Sequence, residues 1–202
     1  MTDINERLPA SSLRPAATAL LIIDVITDFD FDEGSELFKN ALPMARKLAE
    51  LLPAARKAGI PVIYVNDNRG KWQEDLDAQA RAIEARSVKG KKILDLVRPT
   101  KKDYYVLKPQ RSGFYATPLS VLLFSLNVSN LVITGLTTDI CVLFTAHDAY
   151  MRGFKVKVPE DCSAAVKKAY HSDAVRFVKR VAKADVRPST EIDFSAQPHA
   201  AA

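Results

Sequence analysis

The chain has 202 residues, of which 48% are hydrophobic and 26% are charged, as is typical of a single compact globular domain. Its formal net charge is +5, but the basic residues are scattered and are not interleaved with aromatic residues, so we expect no nucleic-acid partner. No apolar stretch is long enough to cross a bilayer, and we therefore expect no membrane partner.

Strand-like and helix-like segments alternate between residues 18 and 190, which predicts one domain between an N-terminal arm at 1–17 and a C-terminal tail at 191–202. Short apolar runs predict the strands. These lie at residues 19–25, 61–65, 104–108, 130–135 and 154–158, with a candidate edge strand at 185–187.

Helices are predicted between these strands, at residues 43–58, 75–85, 90–97, 118–126, 139–151 and 163–184. Pro43 suits the first turn of its helix, whereas Pro53 predicts a kink. Strands that alternate with helices of this length are typical of βαβ units. The sequence therefore predicts an α/β fold with three α-β-α layers and a mostly parallel, doubly wound sheet of about six strands.

Three residues with catalytic potential fall near the carboxyl ends of predicted strands. Asp24 ends the first strand, Lys108 ends the third, and Cys141 follows the fourth at the start of a helix. Ligands of open parallel sheets bind beyond this edge, so we expect the three side chains to lie close together.

Each of the three residues also has an ordinary structural interpretation. Without a catalytic role, Cys141 would be an inert core thiol, Asp24 a turn residue and Lys108 a surface lysine. Near a helix N-terminus, however, free N–H groups favour an anion and lower the pKa of a thiol. A nucleophile, a carboxylate base and a cation on one sheet edge form the pattern expected for covalent catalysis.

Four segments in this order resemble the isochorismatase-like cysteine hydrolases, which include nicotinamidases, N-carbamoylsarcosine amidases and ureidoacrylate hydrolases. The segments are LLIID at 20–24, KPQRSGFYATPL at 108–119, VITGLTTDICV at 132–142 and GFKVKVPED at 153–161. The resemblance extends from about residue 17 to residue 187 and supports the same α/β fold.

The resemblance implies a catalytic triad of Asp24, Lys108 and Cys141, with a thioester formed on the cysteine. It also implies a cis peptide between Leu136 and Thr137, and an oxyanion hole made by the backbone N–H groups of Thr137 and Cys141. A homo-oligomer, dimeric or tetrameric, is a further implication.

The sequence departs from the nicotinamidases at their metal site. Arg69 occupies the position of a metal-binding histidine, and the chain has three histidines in all, His147, His171 and His199. We therefore expect no metal and no cofactor. His147 falls on an apolar helix face and is interpreted as a satisfied core residue. Cys141 also argues against the vinyl-ether chemistry of the isochorismate-cleaving members, which lack this nucleophile.

The sequence thus predicts a hydrolase that cleaves a C–N bond of a small amide, ureide or lactam. The alternative is a non-catalytic or thiol-redox binding protein, and a metal-assisted hydrolase is weaker still. Five loop residues are candidate pocket walls, although core packing explains each equally well: Phe29, Asn68, Trp72, Phe114 and Tyr115.

The cysteine content bears on the cellular compartment. Only Cys141 and Cys162 occur, without the framework spacing of secreted proteins, and no basic segment followed by a long apolar run begins the chain. We therefore expect no signal peptide and a cytoplasmic location.

Overall fold

A computed structural model describes residues 17–72 and 75–194. The strands are β1 (Thr18–Ile23), β2 (Val62–Asp67), β3 (Tyr104–Lys108), β4 (Asn130–Leu136), β5 (Lys155–Lys157) and β6 (Ser163–Ala164). The helices are α1 (Gly34–Lys57), α2 (Leu76–Arg86), α3 (Val88–Val97), α4 (Leu119–Ser125), α5 (Leu143–Met151) and α6 (Lys168–Val181). No helix in the described ranges is long and apolar enough to cross a membrane.

The strands form one six-stranded sheet in which every pairing is parallel, in the order β3-β2-β1-β4-β5, with β6 pairing with β4 beyond the end of β5. The chain runs from β1 outward to β3 and then returns to the other side of β1 with β4. The predicted α/β fold with its doubly wound sheet is therefore confirmed. The candidate edge strand at 185–187 is reduced to a single bridge between Lys157 and Asp185.

The sheet is buried on both faces because alternate residues of β1 enter different clusters of the core. Leu20 and Ile22 pack with α1, α2 and α3, whereas Leu21 and Ile23 pack with α4, α5 and residues that follow them. All of β1 is buried. This two-sided burial explains why the strand appears in the sequence as a continuous apolar run rather than an alternating one.

Helix α1 starts earlier than the sequence predicted. It begins at Gly34, so that Pro43 and Pro53 both lie inside the helix. Its buried face is periodic from its first turn and includes Leu37, Ala41, Met44, Ala45, Leu48, Leu51, Leu52 and Ala55. This apolar face outweighs the backbone hydrogen bonds that the two prolines cannot donate.

The last long helix was also predicted with the wrong start. Ser163 and Ala164 pair with Gly135 and Leu136 of β4, and α6 begins only at Lys168. Residues 163–164 therefore extend the sheet along the part of β4 that β5 leaves unpaired, rather than joining the helix.

The predicted domain boundaries fall near the limits of the described residues. The predicted arm lies almost entirely outside them, as do residues 195–202 of the predicted tail. Within the tail range, Ile192 and Phe194 pack against the core cluster that covers α1.

Candidate active site

The order of the strands brings Asp24, Lys108 and Cys141 to one edge of the sheet. Asp24 follows β1, the central strand, and Cys141 follows the neighbouring β4. Lys108 ends β3, which lies two strands from β1, roughly 9–10 Å away at the usual strand spacing. Only a long side chain closes that gap, which gives a physical reason for a lysine at the end of β3.

The Lys108 ammonium lies at the centre of the group. Its Nζ atom is 2.9 Å from Oδ2 of Asp24 and 3.5 Å from Sγ of Cys141. A second carboxylate, Oδ2 of Asp67, lies 3.6 Å from the same nitrogen. The lysine side chain is fully buried, while that of Asp24 is 17% exposed. A buried ammonium is stable here because acceptors surround it.

Backbone contacts orient Asp24 for this contact with the lysine. Its Oδ1 atom accepts a hydrogen bond of 2.7 Å from the backbone N–H of Asp67, and its own N–H donates to the carbonyl of Val65. Asp24 adopts a left-handed backbone conformation with φ of 50°. One carboxylate oxygen is thereby committed to the neighbouring strand, and the other faces Lys108 and the thiol.

The loop after Asp24 is held by a buried amide that the sequence analysis did not single out. The side chain of Asn66 accepts from the N–H of Ile26 at 3.2 Å and donates to its carbonyl at 3.0 Å. It also donates to Oε1 of Gln79 at 3.0 Å. Asn66 is a polar residue near the end of the otherwise apolar strand β2, and this position could have marked it as a residue of the site.

Cys141 lies in a single π-helical turn, Thr138–Val142, between β4 and α5. The peptide between Leu136 and Thr137 is cis, and the carbonyl of Thr137 accepts from the N–H groups of Ile140 and Val142. Thr138 Oγ1 lies 2.8 Å from Nδ1 of His171, which joins this turn to α6. Single π-turns of this kind occur frequently at functional sites.

Gly135 permits the close approach of β4 to β1 just before this turn. A Cβ atom at Gly135 would lie 2.1 Å from the carbonyl oxygen of Ile23, and the residue has φ of 108°. Glycine is therefore required at this position by space and by backbone conformation.

The prediction of a lowered pKa for Cys141 is wrong. Burial and the nearby charge of Asp24 raise the pKa of Cys141 to about 12, although Lys108 opposes this shift. Burial also raises the pKa of Asp24 above its ordinary value, against the effect of Lys108. The charge of Asp24 raises the pKa of Lys108 despite its burial. The resting cysteine is therefore a thiol beside an ion pair.

A cavity of about 460 Å³ is lined by Asp24 and Cys141, while Lys108 is buried and does not line it. The size of the cavity suits a small organic molecule. The lining residues are Asp24, Ile26, Thr27, Asp28, Asp30, Phe31, Leu37, Asn66, Asp67, Arg69, Leu136, Thr137, Ile140 and Cys141. Thr137 and Cys141, whose N–H groups were predicted to form the oxyanion hole, thus both line the cavity.

The predicted pocket walls do not line this cavity, although all five lie within the described residues. Phe29 is buried in the core against Phe38, and Phe114 is buried against Phe154. Asn68 is buried, whereas Trp72 is 78% exposed and Tyr115 is 61% exposed. The aromatic side chains at these positions therefore either pack in the core or are exposed to solvent.

Arg69 forms part of the cavity wall. It stands at the position where the nicotinamidases carry a metal-binding histidine. Its guanidinium donates to Oδ2 of Asp28 at 2.5 Å and to Oγ1 of Thr27 at 2.7 Å. Its backbone N–H donates to Oδ1 of Asp67 at 2.6 Å. Among residues 17–72 and 75–194, no group of three or more His, Cys, Asp or Glu side chains could hold a metal ion.

His147 is partly buried and is not fully satisfied, whereas the sequence had predicted a satisfied core residue. Nδ1 of His147 lies 2.9 Å from the carbonyl of Leu143, and its ring stacks with Phe177 at 5.4 Å. Its Nε2 atom is buried without a hydrogen-bond partner among the described residues.

A parallel α/β sheet with a thiol, a carboxylate and an ammonium converging at its carboxyl edge, below a cavity, has the components of a cysteine hydrolase. The chain belongs to the isochorismatase family, because residues 18–187 match its Isochorismatase domain. The resemblance to the isochorismatase-like cysteine hydrolases is therefore confirmed.

Two curated relatives illustrate the range of the family. The chain is 38% identical over 178 residues to the uncharacterized isochorismatase family protein YaaI of Bacillus subtilis, covering 88% of this chain and 97% of the relative. It is 32% identical over 155 residues to a streptothricin hydrolase of Streptomyces noursei, covering 77% of this chain and 57% of that protein.

Solved structures show the same fold. The N-carbamoylsarcosine amidase of Thermoplasma acidophilum is 29% identical, with a TM-score of 0.65 over 87% of this chain and 98% of that chain. The nicotinamidase of Staphylococcus aureus is 22% identical, with a TM-score of 0.62 over 85% of this chain and 98% of that chain, and shares the fold. Amide hydrolysis is thus an activity of this family.

Proposed function

We propose that this protein hydrolyses a C–N bond of a small amide, ureide or lactam through a thioester on Cys141. The observation that carries the proposal is the position of the Lys108 ammonium, 2.9 Å from Asp24 and 3.5 Å from the sulfur of Cys141, beside a cavity of substrate size. Asp24, Lys108 and Cys141 are the catalytic residues of this proposal.

In the first half of the reaction, Asp24 takes the thiol proton and Sγ of Cys141 attacks the carbonyl carbon. The raised pKa of Asp24 makes this carboxylate a better base toward the thiol, and Lys108 stabilises the thiolate that forms. The N–H groups of Thr137 and Cys141 receive the oxyanion. The C–N bond then breaks and Asp24 gives its proton to the nitrogen. Ammonia or an amine leaves from an amide or ureide, whereas the amine of an opened lactam stays attached to the acyl group.

In the second half, a water molecule attacks the thioester carbonyl while Asp24 accepts one of its protons. The C–S bond breaks and the sulfur regains the proton from Asp24. The acyl fragment leaves as an acid, and the enzyme returns to its resting state with every atom accounted for.

Release of ammonia or amine from a panel of small amides and ureides, and ring opening of small lactams to amino acids, test this function. We expect turnover by the native chain, none by Cys141→Ala, and native turnover by Cys162→Ala, because the Cys162 thiol is fully buried and does not line the cavity. Equal turnover by the native chain and Cys141→Ala would exclude the thioester route.

The alternative of a thiol-redox protein is less well supported. Sensor cysteines are thiolates with lowered pKa values, whereas burial and Asp24 raise the pKa of Cys141 to about 12. Mass spectrometry after exposure to mild peroxide and to substrate distinguishes the two, because a redox function requires a sulfenate on Cys141 and the hydrolase requires a thioester.

We also propose a homo-oligomer in the cytoplasm. Helices α5 and α6 both carry exposed large apolar side chains, and the ring of His147 on α5 lies 5.4 Å from that of Phe177 on α6. The exposed residues are Phe144, Tyr150, Met151, Tyr170 and Phe177. Several exposed apolar side chains on two contacting helices are consistent with a protein interface, and light scattering of the purified chain measures the mass of the assembly.

A further inference from the structure

The wall of the active-site cavity carries more carboxylates than cations. The lining carboxylates are Asp24, Asp28, Asp30 and Asp67. Arg69 is the basic residue of the lining, and Lys108 lies buried against Asp24. Two negative charges are therefore unbalanced next to the proposed nucleophile.

Both cations are already engaged by protein carboxylates. Lys108 faces Asp24 and Asp67, while Arg69 contacts Asp28 at 2.5 Å. Hydrogen bonds from Arg69 hold the pKa of Asp28 below its ordinary value, although partial burial opposes this, so the pair stays charged near neutral pH. An anionic substrate would have to displace Asp28 from Arg69 and approach the other carboxylates.

Asp30 is the carboxylate of the wall that lacks a counter-charge. Its backbone N–H donates to Asp28, but within residues 17–72 and 75–194 its carboxylate makes no ion pair and no hydrogen bond. Phe31, the next residue, also lines the cavity and is 50% exposed. A carboxylate beside an aromatic ring attracts a cation through charge and through the face of the ring.

We propose that the substrate is an amide, ureide or lactam that carries a positive charge, which Asp30 and Phe31 receive while the scissile carbonyl reaches Cys141. The proposal rests on the proposed function and names the substrate class of the same site. It predicts discrimination against amides that carry a carboxylate, because the unbalanced charge of the wall repels them.

The charge preference can be measured without turnover by labelling Cys141 in a Cys162→Ala background. The probes are a cationic reagent, 2-(trimethylammonio)ethyl methanethiosulfonate, and an anionic one, 2-sulfonatoethyl methanethiosulfonate. Each rate is divided by the rate of the same reagent with a small free thiol. We expect the cationic reagent to be favoured by roughly tenfold or more at low salt, with the preference falling as salt rises.

Two variants of the same loop give the matched comparison. Asp30→Asn should reduce the cationic preference several-fold, whereas Asp32→Asn should leave it unchanged, because Asp32 is exposed and does not line the cavity. Equal normalised rates for the two reagents, or the same loss in both variants, would overturn the proposal. If neither reagent reacts, calorimetric titration of Cys141→Ala compares the affinities for the cationic 6-aminohexanamide and the anionic adipic acid monoamide. Tighter binding of the anionic amide would overturn the proposal.

The same amides separate this proposal from the proposed function. Hydrolysis of 6-aminohexanamide, hexanamide and adipic acid monoamide at equal kcat/KM would refute the charge preference and leave the hydrolase intact. A cationic labelling preference in a chain that releases no amine from any amide would instead refute the hydrolase.

Discussion

Replacing Lys108 by methionine should destabilise the protein in a pH-dependent way. The lysine side chain is fully buried and its ammonium is 2.9 Å from the Asp24 carboxylate. Methionine preserves most of the apolar contacts but leaves that carboxylate buried without its counter-charge. Removing one partner of a buried pair costs about 3–5 kcal/mol of unfolding free energy, and we expect Lys108→Met to lose about this amount at pH 7.

The sign of the pH dependence follows from Asp24. Burial already raises the pKa of Asp24 from 3.8, and loss of Lys108 removes the charge that opposes this shift. A carboxyl whose folded pKa exceeds its unfolded pKa binds its proton more tightly in the native state, so stability falls as pH rises between the two values. The defect of Lys108→Met should therefore be smallest near pH 4 and grow toward neutral pH.

Urea unfolding of the native chain and of Lys108→Met at pH 4.5 and pH 7 measures this difference. The double variant Asp24→Asn, Lys108→Met is the control, because it removes both charges and should recover much of the lost stability at pH 7. A defect of equal size at both pH values, or no recovery in the double variant, would show that packing rather than charge determines the loss.

Three further predictions concern the surroundings of the site. The rate constant kcat/KM should fall as pH drops through the raised pKa of Asp24, because a protonated Asp24 cannot accept the thiol proton; a pH profile whose acid limb lies at or below 3.8 would contradict this. Gly135→Ala should destabilise the chain by about 2 kcal/mol or more, since its Cβ would lie 2.1 Å from the carbonyl oxygen of Ile23; an unchanged urea midpoint would refute the close contact. Asn66→Ala should cost about 1–3 kcal/mol because it leaves buried polar groups of Ile26 and Gln79 unpaired; thermal unfolding checks this, and an unchanged melting temperature would contradict it.

The sheet and the convergence of Asp24, Lys108 and Cys141 could be predicted from the sequence, because both follow from the pattern of apolar runs and the order of the strands. The continuous apolar run of β1 identifies a strand buried on two faces, and parallel strands place their carboxyl ends at one edge. Asp24 and Cys141 follow neighbouring strands, so their proximity follows from the order of the strands alone.

Features that depend on nonlocal packing were predicted less well. The start of α1 was placed at Pro43 because proline favours a first turn, whereas the buried face beginning near Leu37 determines the helix. Phe114 was assigned to the pocket, but it stacks on Phe154 in the core. The prediction of a lowered pKa for Cys141 was wrong because it considered only the effect of a nearby helix N-terminus. The burial that raises this pKa depends on the whole fold.

The central claim is the thioester on Cys141, and the mass of the intact protein during turnover tests it most directly. Rapid acid quenching with a slowly hydrolysed amide should give a protein heavier by one acyl fragment, with the added mass on the peptide that contains Cys141 and none in Cys141→Ala. Turnover that continues in Cys141→Ala, or an acyl group found on another residue, would contradict the account.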